Sequence, residues 1–186
     1  MVDLMLRRSP AVPETAWLSA VPPAARIVLH GDAAARAAAL PVWSAEFSEE
    51  PCRANLHGSR ATLWLGPDEY LLLDLRPAAG EPGQGLLPAL ERALGEIPHA
   101  LVDVSHRQFA ITVHGPHAAA ILSGACPLDL DPAEFPVGMC TRTVLAKADI
   151  VLWRTAAETF HLEVWRSFAG YATGLLMEIA REFHST

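Results

Sequence analysis

The feature that most narrows the folds open to this chain is an internal echo. Ile27-Val28-Leu29-His30-Gly31-Asp32-Ala33-Ala34 is answered by Thr112-Val113-His114-Gly115-Pro116-His117-Ala118-Ala119, and the two His-Gly pairs stand 84 residues apart. In each copy an apolar run that reads as a strand ends on glycine and leads into an alanine-rich helical stretch. Ala61–Leu65 and Tyr70–Leu75, joined by Gly66-Pro67-Asp68-Glu69, read as a hairpin. The strands around 150–164 follow the second echo at a similar offset. A β-α-β-β unit used twice accounts for all of these. Half of a 186-residue chain buries too little apolar surface alone, so the two units are expected to pack as one α+β body.

Punctuation along the chain predicts its domains. Residues 1–23 read as a Pro-rich arm, with a short helical turn around Glu14 to Ala20 and with Trp17 and Leu18 in need of cover. Residues 24–76 form a first α+β lobe. There Asp32 caps a helix over 33–40 that Pro41 ends, and 44–58 carries turn signals but little periodicity. Residues 77–100 hold a linker, within RPAAGEPGQG, and an amphipathic helix from Leu86 to Leu94. Residues 101–186 form the second lobe. In it Phe109, Ile111 and Val113 alternate as a half-buried strand, and Pro116 opens a helix with Ala118, Ile121 and Leu122 inward. Further strands are read at Thr143–Ala146, Ile150–Trp153 and Thr159–Val164. A final helix runs from Phe168 to Phe183, capped by Ser167, with Phe168, Tyr171, Ala172, Leu175, Leu176, Ile179 and Phe183 on its inward face.

Several function classes are disfavoured. Net charge is −7 and Lys147 is the only lysine, so no basic cluster exists to neutralise nucleic-acid phosphates. No phosphate-cradling Gly-rich loop and no G-x-G-x-x-G follows a predicted strand. No run approaches the ~18 apolar residues of a membrane helix, and none near residue 1 suits a signal peptide, so a cytoplasmic location is expected. Cys52, Cys126 and Cys140 are odd in number and read as free thiols. Of eight histidines, His114 and His117 are the nearest pair, but no third ligand stands at zinc-site spacing. Asp129 and Asp131 read as turn and cap residues. Ser105 adjoins His106, yet neighbouring strand residues point to opposite faces, so they do not make a nucleophile and its base. No catalytic, cofactor-binding or metal-binding residue is assigned.

The densest polar cluster in an apolar region is Asp103-Val104-Ser105-His106-Arg107. Two readings stand open. In one it is a hydrogen-bonded corner, with Asp103 accepting from backbone N–H groups and pairing with Arg107. In the other, His106 and Arg107 contact a ligand or partner. Trp165-Arg166-Ser167 flanks another predicted strand end, so both segments can share one rim of a sheet. The candidate interface residues are Ser105, His106, Arg107, Trp165 and Arg166, with Trp17 in the arm. An internal ion pair of the arginines with Asp103 or Glu163 is the alternative.

The pattern Asp103-Val104-Ser105-His106, then a strand, Gly115-Pro116 and an alanine-rich helix, resembles the folate-binding aminomethyltransferases of glycine cleavage. A longer series narrows the resemblance. Leu65-Gly66-Pro67-Asp68-Glu69-Tyr70-Leu71-Leu72-Leu73, Asp103-Val104-Ser105-His106-Arg107, Cys126-Pro127-Leu128-Asp129-Leu130, Phe135-Pro136-Val137-Gly138 with Arg142-Thr143, and Val164-Trp165-Arg166-Ser167-Phe168-Ala169 come in order over roughly residues 60 to 183. Together they are similar to the gamma subunits of heterotetrameric sarcosine oxidase. The resemblance implies a fold like the folate-binding aminomethyltransferases and assembly with alpha, beta and delta subunits, with the alpha subunit in direct contact. It implies a structural, non-catalytic role in oxidising sarcosine (N-methylglycine). It also implies FAD, FMN and NAD on larger subunits, with tetrahydrofolate accepting the one-carbon unit. Where the transferases carry an acidic pair, this chain reads Lys147-Ala148-Asp149-Ile150-Val151-Leu152-Trp153, with one acid, and the later asparagine position reads Val164-Trp165-Arg166. A stand-alone folate-binding protein or sensor is the alternative function.

Overall fold

A computed structural model of the chain describes residues 12–13, 15–76 and 85–184. The chain divides into two compact units, Pro22–Ser105 and the remainder, in which residues up to Val21 join those from His106 onward. Residues 77–84 of the linker expected over 76–85, and residues 1–11 and Glu14 of the expected arm, lie outside the described residues.

The first unit begins with β2, Ala25–Gly31, which follows β1 of the other unit (Leu18–Ala20) in the chain. Helix α1, Ala33–Trp43, then starts at Asp32, whose carboxylate accepts from the backbone N–H groups of Ala34 and Ala35 at 2.9 and 3.1 Å. Pro41 does not end this helix but sits in its last turn. Proline deletes one helical hydrogen bond, and the burial of Trp43, whose indole N–H donates to Thr62 Oγ1 at 2.8 Å, holds the turn in place. The chain continues through β3 (Ala54–His57), β4 (Arg60–Gly66), β5 (Glu69–Asp74), α2 (Leu86–Leu94) and β6 (His99–Asp103). The antiparallel sheet runs β3-β4-β5-β2-β6. Ile27, Leu29, Tyr70 and Leu72 meet Ala35, Ala39 and Trp43 of α1 and Leu86, Leu90 and Leu94 of α2 in one core. Ala61, Leu63, Leu71 and Leu73, on the opposite face, are buried as well. That explains the unbroken apolar run Tyr70-Leu71-Leu72-Leu73 in β5, since a strand covered on both faces has no polar side to alternate.

The second unit holds β7 (Gln108–His114), α3 (Ala118–Ser123), β8 (Cys140–Leu145), β9 (Ala148–Ala156), β10 (Thr159–Trp165), a 3-10 turn (Arg166–Phe168) and α4 (Ala169–His184). Its sheet runs β1-β7-β10-β9-β8, again antiparallel. Pro116 lies ahead of α3 rather than at its first position, but Ala118, Ile121 and Leu122 face inward as expected. Arg154 on β9 is buried; its guanidinium donates to the carbonyls of Leu130, Phe135 and Ala157 and lies 4.9 Å from the Phe160 ring centroid. One side chain thereby satisfies the loop backbone between α3 and β8.

The two sheets superimpose in order when β2 is matched to β7. Ile27 lies between Leu72 and Asp103, and Ile111 lies between Leu162 and Ala20. Leu29 lies between Tyr70 and Leu101, and Val113 between Phe160 and Leu18. Each repeat thus contains the expected strand, helix and hairpin, with one more strand before the hairpin and a helix after it. Residues 18–20, expected within the arm's helical turn, instead form an edge strand, with Leu18 fully buried.

Candidate functional site

Ser105 closes the first unit and serves its backbone. Its Oγ accepts from Arg26 N–H at 2.9 Å, and its own N–H donates to Asp103 Oδ1 at 2.8 Å. Only 5% of the residue is exposed, so its hydroxyl is committed to the corner. The hydrogen-bonded half of the corner reading holds for Asp103 and Ser105.

His106, Arg107, Trp165 and Arg166 come together at one rim of the second unit, where the segments entering β7 and leaving β10 meet. The antiparallel register sets Trp165 opposite Gln108. The N–H of Arg166 then donates to Arg107 O at 2.8 Å, and its Nε donates to His106 O at 2.9 Å. The Arg107 guanidinium lies over the Trp165 ring, 5.2 Å from the centroid. A cation over an indole is an electrostatic contact with the ring's negative face. The expected shared rim is therefore present. Arg107 and His106 are exposed, and Trp165 keeps 44% of its surface exposed.

Trp17 and Glu163 lie in the interior. Trp17 is 9% exposed, packs in the core of the second unit and has its carbonyl bonded by His114 N–H. Glu163 is buried and bonds His161 Nε2 through Oε1 at 2.8 Å. The signal for that pair was in the strand pattern: in Phe160-His161-Leu162-Glu163-Val164, His161 and Glu163 alternate with three core side chains and so share the other face. Asp129 and Asp131 accept from the N–H groups of Asp131 and Ala133, both at 2.9 Å, the turn role read for them. Among the described residues no three His, Cys, Asp or Glu side chains converge as a metal site, and no helix is long and apolar enough to cross a membrane.

Residues 30–182 match the family described as sarcosine oxidase, gamma subunit family. A sarcosine oxidase subunit gamma from Corynebacterium sp. strain U-96 is 37% identical over 123 residues, 66% of this chain and 57% of that protein. Its counterpart from Arthrobacter sp. is 34% identical over 125 residues, 67% of this chain and 59% of that protein. The aligned segments thus span less than two thirds of either relative. A chain of the heterotetrameric sarcosine oxidase from Corynebacterium sp. U-96, solved in complex with pyrrole 2-carboxylate, matches with a TM-score of 0.83 at 29% identity, covering 96% of both chains. Aminomethyltransferase T of the Bartonella henselae glycine cleavage system matches with a TM-score of 0.62 at 15% identity, over 86% of this chain and 45% of that one; this likeness concerns the fold alone.

Proposed function

Because the chain belongs to the sarcosine oxidase gamma subunit family, we propose that it is a structural, non-catalytic subunit of a heterotetrameric sarcosine oxidase. The complex oxidatively demethylates sarcosine to glycine. Alpha, beta and delta subunits are its partners, and the alpha subunit is the one it touches. FAD, FMN and NAD reside on those larger subunits, and tetrahydrofolate receives the one-carbon unit there. The observation that carries this reading is the likeness in fold, over 96% of both chains, to a chain of such a heterotetramer. The chemistry of this chain supports the division of labour. Asp149, the acid in the segment where the folate-binding transferases carry a pair, is exposed on β9, and Glu163 is committed to His161. These side chains do not fit the task of holding folate amines, so no reaction step is placed here.

Contact with the large subunit is assigned to the rim of His106, Arg107, Trp165 and Arg166. Arginine and tryptophan are enriched where interfaces are tightest, and here two elements fix them before any partner arrives. The test is co-expression of the tagged chain with the other subunits. The expected result is a stable complex that oxidises sarcosine, while the lone chain releases no hydrogen peroxide. Flavin bound stoichiometrically to the lone chain, or a wild-type chain that purifies free of the other subunits, would overturn the proposal.

A further inference from the structure

Exposed aromatic surface is concentrated in one stretch. Trp165, Phe168 and Tyr171 are 44%, 38% and 40% exposed, and they fall within seven residues of chain. The helical pattern predicts Phe168 and Tyr171 inward. The structure turns Ala172 and Leu176 inward as predicted, with Ala169 and Ala180 beside them, but not Phe168 or Tyr171. Small side chains let α4 lie close to its sheet, and that rotation leaves the two rings outside, edge to face at 6.5 Å. They follow Trp165 in the chain, three and six residues on.

The rim also departs from the chain in charge. Net charge is −7 overall, yet residues 104–109 and 164–174 contain two arginines, one histidine and no Asp or Glu. Among the described residues no carboxylate pairs with Arg107, whose side chain meets the Trp165 ring. A guanidinium on a ring spends its face and keeps its in-plane N–H donors, the fork that matches a carboxylate.

We propose that this surface receives a carboxylate-bearing segment of a partner subunit. The carboxylate takes the Arg107 fork, and apolar side chains beside it cover Trp165, Phe168 and Tyr171. The proposal rests on the subunit reading above and adds the chemistry of the occupant. An acidic segment is repelled by most of this chain and attracted here, so charge fixes where it docks as well as how firmly.

The experiment uses the co-expressed complex, with Arg107→Glu, Arg107→Lys and the double variant Phe168→Ser/Tyr171→Ser, at 0.1 and 0.5 M NaCl. Dissociation constants are read from dilution of the co-expressed complex. Arg107→Glu is expected to weaken assembly by about 30-fold or more, the loss typical of a hot-spot residue. Arg107→Lys should lose about tenfold, because an ammonium cannot form the fork. The double variant should also lose about tenfold, and wild-type affinity should fall with salt. The lone variants should melt where the wild type does, since all these side chains are exposed. If the wild type assembles and Arg107→Glu and the double variant assemble equally well, this inference fails while the subunit reading stands. If the wild type does not assemble, the subunit reading fails first. A lone-chain dimer that Arg107→Glu dissociates would give the surface to a second copy and overturn the proposal.

Discussion

Asp74, at the end of β5, is a buried carboxylate kept ionised by its neighbours. Its side chain is 7% exposed, and Arg60 Nε reaches Oδ2 at 3.3 Å. Ser59 Oγ and Arg76 Nε reach Oδ1 at 3.1 and 2.9 Å, and Arg76 Nη2 closes on Oδ2. Burial by itself pushes the pKa up, but the hydrogen bonds from Arg76, Ser59 and Arg60 outweigh it and lower it from 3.8 to about 2. A folded-state pKa below the unfolded one stabilises the fold above the unfolded value, and that gain is lost as pH falls from about 4 towards 2. The amount at stake is on the order of 2 kcal/mol. Urea unfolding between pH 5 and pH 2 should therefore show a steeper loss for the wild type than for Asp74→Asn. Equal slopes would show that the carboxylate is not held in this way.

Helix α1 shows how an element can be built around a missing atom. A Cβ on Gly31 would stand 2.6 Å from Ala35 Cβ, closer than two methyl carbons can approach. Gly115, at the equivalent position of the second repeat, meets nothing within 4 Å, but its φ of +100° excludes a side chain for a different reason. The echoed glycines thus share a place and not a cause. Gly31→Ala should cost about 1–3 kcal/mol as α1 is pushed off its strand. Ala35→Gly added to it should restore part of that, despite the roughly 1 kcal/mol penalty of a helical glycine. Strict additivity of the two changes in urea melts would exclude the clash as the cause.

Across the whole molecule the repeats exchange strands. In chain order each repeat opens with a short strand, β1 or β6. Yet β1 pairs with β7 of the second repeat, and β6 pairs with β2 of the first. Each sheet is completed by the other repeat's opening strand, so neither repeat makes its own five-stranded sheet. Backbone bonds Val21 N–H to Ala110 O and His114 N–H to Trp17 O put Ser19 and Thr112 in the hydrogen-bonded register. Ser19→Pro removes the Ser19 N–H that donates to Thr112 O and loosens β1 on β7, so hydrogen-exchange protection of Thr112, whose own N–H donates to Ser19 O, should fall by about tenfold or more, with β2 amides unaffected. Unchanged protection at Thr112 would refute the pairing.

Much of this was legible locally, because the responsible interactions are local. The strand before each His-Gly, the cap at Asp32, the hairpin around Gly66 and the turn role of Asp129 depend on neighbours a few residues away. The Arg107–Trp165 rim was legible because both segments flank strands and strand ends gather at sheet rims. What the sequence by itself determined was therefore the repeat, its elements and the residues at their ends. Only the tertiary structure decided the partners. β1 is an edge strand held by backbone bonds to distant residues of β7, and such bonds leave no periodic trace in side chains. The inward face of α4 was settled by how closely a helix can approach its sheet, which favours Ala169 and Ala180 over Phe168 and Tyr171. Helical spacing ranks side chains by hydrophobicity, but the room left by the facing strands ranks them by size.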